Sequence, residues 1–136
     1  YHTGDKYIAQ IDNDILSEIY PIASLLRSGI TVASSSDSPV TYPDPFLDIY
    51  TAITRNTSSG ASINISERLS VESALELWTT KPAYVSHKEN VTGNIMPGML
   101  ADLVLINRNP FQVETETIKD IKVAMTIVDG NIEWES

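Results

Sequence analysis

The stretch PIASLLRSGITVASSSDSPV, residues 21–40, constrains the fold of this chain more than any other segment. Pro21 suits the first position of a helix, and apolar residues follow it at helical spacing. Gly29 supplies the left-handed residue that commonly ends a helix, and the apolar run ITVA follows it directly. A helix, a glycine and a short buried strand from Ile30 make one αβ step of a parallel sheet or barrel, so the sequence predicts an α/β fold.

Two further helices are predicted downstream, and strands follow them. Asp44 is a good N-cap ahead of an apolar stripe, and Ser70 begins a similar helix. Beyond residue 90 the pattern changes: ADLVLIN is typical of a strand that is apolar on both faces. Asp129-Gly130, between two runs of alternating apolar residues, is a strong hairpin signal.

These patterns divide the chain into a helical unit at residues 1–90 and a β-rich unit at residues 91–136. The opening YHTGDKYIAQIDND is polar and irregular, so it predicts a loop. The chain starts at Tyr1 rather than Met, which indicates a piece of a longer protein.

Charge and composition exclude several classes of partner. Nine basic and eighteen acidic residues give a net charge of −9, which repels nucleic-acid phosphates and anionic lipids. No apolar run approaches the roughly 18–20 residues that span a bilayer. Cysteine is absent, which excludes disulfides, a thiolate nucleophile and a cysteine metal site. We therefore expect a cytoplasmic protein that binds neither nucleic acid nor membrane.

Asp37 is the candidate catalytic residue. It follows the carboxyl end of the predicted strand, where open α/β sheets and βα barrels keep their active sites. A carboxylate there can bind a metal, or take a proton from a metal-bound water and return it to a leaving group. The alternative, which spacing alone favours, is an Asx turn that forms a local backbone hydrogen bond.

The remaining polar candidates give no complete site. His2 and His87 are the only histidines and are far apart in sequence, whereas a stable zinc site needs three or four protein ligands. We therefore expect this chain alone to bind no metal. Arg55, in the last turn of its helix, either caps that helix, or orders the site loop or binds a substrate anion. Ser36, beside Asp37, is the second candidate for ordering that loop or contacting substrate.

Several stretches together resemble one family. They occur in the order seen at the C-terminal end of the amidohydrolase superfamily, and they are most similar to the amidohydrolase 3 (YtcJ-like) metal-dependent hydrolases. Some members of that subgroup are labelled exoenzyme regulatory proteins. The stretches are SSDSPV at 35–40, DPFLDIYTAITR at 44–55, ERLSVESALELWTTKPA at 67–83, GNIMPGMLADLVLINRNP at 93–110 and VAMTIVDGNI at 123–132.

The resemblance implies a TIM-type barrel joined to a composite β-sandwich that both ends of the full chain build. Residues 30–35 would be the eighth barrel strand, and Asp37, at its tip, would stand by the metal and activate the hydrolytic water. Residues 91–136 would be the C-terminal share of the sandwich. As an isolated fragment, the chain would be an α+β structure.

The resemblance also implies a function. The full protein would use a divalent metal, zinc, to hydrolyse a non-peptide C–N bond of a small amide or cyclic amide. The family's His-x-His is absent from this chain, so the fragment alone would be inactive, and its uncovered apolar edges predict self-association. Two alternatives remain open: a non-catalytic regulatory or scaffold protein that retains the fold, and an independent binding module.

Overall fold

The computed structural model describes all 136 residues as a mixed structure in which helices precede a small antiparallel sheet. None of the helices combines the length and the apolar composition that crossing a bilayer requires. The helices are α1 (Gly4–Gln10), α2 (Asn13–Leu16), α3 (Ile22–Arg27), α4 (Pro45–Thr54), α5 (Val71–Glu76) and α6 (Thr80–Val85), and the strands are β1 (Leu103–Ile106), β2 (Val123–Val128) and β3 (Asn131–Glu135). Two 3₁₀ segments, Ile65–Glu67 and Thr115–Asp120, lie between these elements.

The predicted helix starts are confirmed by their caps. The Asp44 carboxylate accepts a hydrogen bond from the Leu47 N–H at 3.1 Å, and Pro45 occupies the first turn of α4. The Ser70 hydroxyl accepts one from the Ser73 N–H, also at 3.1 Å. Each cap satisfies an N–H group that has no partner inside its own helix.

The sheet has the strand order β1-β2-β3, and all neighbours are antiparallel. The predicted hairpin is confirmed: Asp129 and Gly130 connect β2 to β3, and both have positive φ, as a two-residue type I′ turn requires. The strand predicted from ADLVLIN is confirmed as β1, and Val104 and Leu105, which point to its opposite faces, are both exposed in this chain.

One apolar core joins the two predicted units. Ile118 and Ile121, from the 115–121 region, pack against the apolar face of α4 and against Ala74 of α5. The Tyr50 hydroxyl of α4 donates a hydrogen bond to the Glu116 carboxylate at 2.7 Å. Contacts therefore cross the predicted boundary at residue 90, and the division of the chain into two units stays a prediction.

The prediction of a loop at the chain's start is wrong, since residues 4–16 form α1 and α2. Asp5 of α1 accepts hydrogen bonds from the hydroxyls of Thr57, Ser58 and Ser59 and from the Ser59 N–H. Those bonds, chiefly from the Ser59 and Thr57 hydroxyls, lower the pKa of Asp5 to about 2. The hydrogen bonds to Asp5 of α1 come from residues more than fifty positions away in sequence, so the local sequence pattern does not predict this helix.

The short buried strand predicted from Ile30 is also wrong for this chain. Residues 30–36 carry no regular secondary structure, and the Ile30 side chain is 52% exposed. A strand needs a neighbouring strand to accept and donate its backbone hydrogen bonds, and nothing in the 136 residues pairs with this segment.

Replacing Ile118 tests the packing of the 115–121 region against α4. Ile118 is fully buried, so we expect Ile118→Ala to lower the free energy of unfolding by about 2–5 kcal/mol through lost burial and a cavity. Ile95→Ala is the matched control, because Ile95 is 88% exposed and we expect a change within about 0.5 kcal/mol. Urea denaturation measures both, and equal effects of the two substitutions would contradict this description of the core.

Candidate active site

Residues 30–36 form an irregular connection whose backbone is largely unpaired. The Ile30 N–H donates to the Leu25 carbonyl at 3.0 Å, and the Ser34 N–H donates to the Leu77 carbonyl at 2.9 Å. No other backbone group of this connection bonds to another backbone group. We call residues 30–36 the unpaired segment; it leads directly to Asp37.

Asp37 lies in an exposed turn with left-handed backbone geometry, φ +53°. Its carbonyl accepts a hydrogen bond from the Val40 N–H at 2.9 Å, which closes the turn through the backbone. Its carboxylate forms no hydrogen bond and no ion pair within the chain, so the predicted Asx turn is not formed. The carboxylate is therefore free to contact a ligand or a further part of a longer protein.

Ser36 belongs to the same turn. Its carbonyl accepts a hydrogen bond from the Thr41 hydroxyl, and its own hydroxyl accepts one from the Ser38 N–H at 3.3 Å. Ser35 lies one residue earlier, and its hydroxyl accepts a bond from the Asp37 N–H at 3.4 Å. Serine side chains and one threonine therefore fix the backbone on both sides of Asp37.

Arg55 caps the end of α4 rather than lying in its last turn, and its φ of +60° is left-handed. The guanidinium is buried: Nε donates to the Ile63 carbonyl at 3.2 Å, and Nη2 donates to the Ile19 carbonyl at 3.3 Å. Burial lowers its pKa. Arg55 therefore ties the loop after α4 to the connection between α2 and α3.

A cleft of about 270 Å³ lies between α1, α4 and the unpaired segment. Arg55 lines this cleft together with Ser34 and Ser35, whereas Ser36 and Asp37 do not line it. The structure therefore places Arg55 in the same cleft as Ser34 and Ser35 and leaves the Asp37 side chain outside it.

Three residues that the sequence did not single out also line the cleft: Tyr7, Tyr20 and Asp48. The two phenol oxygens lie 3.1 Å apart. Burial, with the Asp44 carboxylate nearby, raises the pKa of Asp48. No signal could have found the tyrosines, because Tyr7 lies in a stretch whose pattern predicts a loop and Tyr20 lies in the connection before α3.

The residues of this chain do not form a metal site. No group of three or more histidine, cysteine, aspartate or glutamate side chains lies close enough together to hold an ion. Asp37 offers one free carboxylate, and a zinc site needs three or four protein ligands.

The family model described as "Amidohydrolase family" matches residues 3–132, nearly the whole chain. The chain belongs to the amidohydrolase family. Its relatives include the N-substituted formamide deformylase of Arthrobacter pascens, which is 30% identical over 118 residues, or 87% of this chain. YtcJ of Bacillus subtilis (strain 168), named as an amidohydrolase, is 30% identical over 131 residues, or 94% of this chain.

Among solved structures, the amidohydrolase of Thermotoga maritima MSB8 has the same fold over 89% of this chain, with a TM-score of 0.65 and 24% sequence identity. This likeness places the mixed helix and sheet structure in the fold of that protein. The chain spans 22% and 25% of the lengths of the deformylase and YtcJ, and 26% of the Thermotoga chain.

Proposed function

We propose that this chain is the C-terminal part of a metal-dependent amidohydrolase that cleaves a non-peptide C–N bond in a small amide. The observation that carries the proposal is the free carboxylate of Asp37 at the end of the unpaired segment. Family membership supports amide hydrolysis as the reaction class. The deformylase relative acts, by its name, on N-substituted formamides, which makes these the first substrates to assay.

In the longer protein, we propose, the unpaired segment is a strand of a TIM-type barrel, and residues 91–136 form part of a composite β-sandwich. Two observations support this arrangement. The segment is rich in apolar and β-branched residues at its start, and its backbone groups are free to pair. The likeness to the Thermotoga amidohydrolase covers the chain on both sides of residue 90.

Asp37 is the proposed proton carrier of the reaction. Water attacks the amide carbonyl carbon while the Asp37 carboxylate accepts its proton, and the same carboxyl group then protonates the nitrogen as the C–N bond breaks. The proposed divalent ion, zinc, would take its other ligands from outside residues 1–136, with Asp37 as the candidate ligand in this chain, since no group of three or more ligating side chains lies together here. Arg55 and Ser36 act as loop-ordering residues, because both are already bonded to neighbouring backbone groups.

The absence of cysteine fits the reducing cytoplasm, which we propose as the compartment.

Substitution of Asp37 in the longer protein tests the proposal. We expect Asp37→Asn to lower the rate of formate release from N-substituted formamides by about 10²–10⁴-fold, because the proton carrier is lost while the metal content stays unchanged. Asp129→Asn is the matched control: Asp129 is also an exposed aspartate in a left-handed turn, and asparagine tolerates this geometry.

Wild-type rates in the Asp37→Asn variant, with its metal intact, would remove Asp37 from the mechanism. If the unsubstituted protein hydrolysed no amide at all, the alternative of a regulatory or scaffold protein with the amidohydrolase fold would replace the proposed enzyme.

The 136-residue chain by itself is expected to self-associate. Its unpaired segment and both edges of its sheet offer free backbone hydrogen-bonding groups, and Val104 and Trp134 expose apolar surface. Sedimentation equilibrium should therefore give a mass that rises with protein concentration. A constant monomer mass over the whole concentration range would contradict this expectation.

A further inference from the structure

Asp48 carries a negative charge in the cleft for which the proposed reaction has no use. It lies in the first turn of α4, is half-buried and lines the cleft. Its carboxylate takes part in no hydrogen bond and no ion pair within the chain. The helix does not need it as a cap, because the Asp44 carboxylate already accepts from the Leu47 N–H. Asp48 therefore has unused capacity to bind a ligand.

A positive charge lies near Asp48 in this chain. Burial raises the pKa of Asp48, the Asp44 carboxylate adds to the rise, and the charges of the Tyr1 α-amino group and of His2 oppose it. Burial lowers the pKa of that amino group, and the attraction of Asp48 opposes this lowering. In the longer protein that we propose, the Tyr1 nitrogen belongs to a peptide bond and carries no charge. Asp48 then lacks the amine that lies near it here.

The other walls of the cleft suit a short flexible chain that carries a positive charge. Tyr7 and Tyr20 line it with their ring centroids 6.2 Å apart, and the faces of aromatic rings attract cations. The apolar part of the lining includes Ile22, Ile63 and Leu77. The volume of about 270 Å³ is several times the roughly 30 Å³ that one water molecule takes in the liquid. The cleft therefore has room for an alkyl chain that ends in an ammonium group.

Arg55 makes the other end of the α4 wall positive. It follows Asp48 by seven residues and lines the same cleft, which corresponds to a rise of about 10 Å along the helix. Its Nε and Nη2 atoms donate to the Ile63 and Ile19 carbonyls, and its guanidinium lies 6.0 Å from the centre of the Tyr20 ring. Groups of the protein therefore stabilise the charge of Arg55, whereas none forms a hydrogen bond to the charge of Asp48.

The proposed barrel places this cleft on the face where the reaction occurs. With residues 30–36 as a barrel strand and α3 as the helix before it, α1 belongs to the loop that precedes α3, and α4 begins after the strand ends. Both α1 and the first turn of α4 then stand at the carboxyl end of the strands, where barrel active sites lie. Ser35 lines the cleft, and its hydroxyl accepts from the Asp37 N–H at 3.4 Å. The cleft therefore adjoins the turn that carries Asp37.

We propose that the cleft binds the substituent on the amide nitrogen of the substrate, and that Asp48 selects a substituent ending in an ammonium group. The inference rests on the proposed function and names its substrate class, which is small amides of diamines. The Asp48 carboxylate accepts hydrogen bonds from the ammonium group, while the alkyl chain lies against the tyrosines and the apolar side chains. A hydrogen bond between two charged groups is stronger than one between neutral groups, so it discriminates between substituents.

Formate release by the longer protein from three matched formamides tests this inference. N-(aminobutyl)formamide carries a positive charge, N-pentylformamide carries none, and N-(carboxybutyl)formamide carries a negative charge. We expect kcat/KM to be about tenfold or more higher for the cationic substrate than for the uncharged one, and lowest for the anionic one. In Asp48→Asn, the ratio of kcat/KM between the cationic and the uncharged substrate should fall to within about twofold of one.

Asp14→Asn is the matched control variant. Asp14 is also an aspartate in the first turn of a helix, but it is exposed and does not line the cleft, so this variant should keep the full preference. Calorimetry with butylamine gives a readout that does not depend on turnover. We expect the unsubstituted protein and Asp14→Asn to bind butylamine about tenfold or more tightly than Asp48→Asn does.

Equal kcat/KM for the cationic and the uncharged substrate, or a preference that survives in Asp48→Asn, would overturn the inference. A preference for the anionic substrate would also overturn it and would assign the cleft to Arg55. If the longer protein released formate from no formamide, the proposed function would fail. Butylamine binding that depends on Asp48 would then still support a cation site in the cleft, whereas binding that Asp48→Asn leaves unchanged would overturn it.

Discussion

The structure depends on the burial of Ile118 and Ile121, in and directly after the 3₁₀ segment Thr115–Asp120, against one face of α4. Ile118 and Ile121 close the apolar core over Phe46, Ile49 and Tyr50, and the Tyr50 hydroxyl bonds to Glu116 at the edge of the same contact. A small sheet is stabilised when a hydrophobic face packs against a helix, and here Ile106 and Val123 of the sheet pack against the core that α4 helps to form. Packing against α4 therefore positions the sheet. The same contact stabilises α4, and Arg55 lies at the end of this helix.

A second constraint governs the candidate site. Backbone N–H and C=O groups are strong hydrogen-bonding groups, and most of those in the unpaired segment, whose residues are exposed or half-buried, have no backbone partner within the chain. The segment is apolar at its start, carries serines at its end and leads to the free carboxylate of Asp37. This combination is expected of a barrel strand that pairs with a strand on each side and ends at the carboxyl-end face of the barrel, where active sites lie.

Elements whose stabilising hydrogen bonds join residues close in sequence could be predicted from the local sequence. The caps at Asp44 and Ser70 each bond to an N–H three residues later, and the Asp129-Gly130 turn has the backbone that its residues favour. The opening helix α1 could not be predicted, because Asp5 draws its partners from residues 57–59. The segment after Ile30 was predicted as a strand from its composition, but composition does not supply the neighbouring strand that a sheet requires.

The site follows the same rule. A helix, a glycine and an apolar run make Asp37 a candidate, and its role stays a prediction, whereas Tyr7, Tyr20 and Asp48 come together in the cleft through contacts that no local pattern shows. A crystal structure of the longer protein with zinc, with the ion located by anomalous diffraction, tests the central claim most directly. The account predicts that residues 30–36 pair with strands on both sides and that an Asp37 carboxylate oxygen either binds the ion at about 2.0–2.2 Å or contacts a water bound to it. An ion far from Asp37, with residues 30–36 still unpaired, would contradict it.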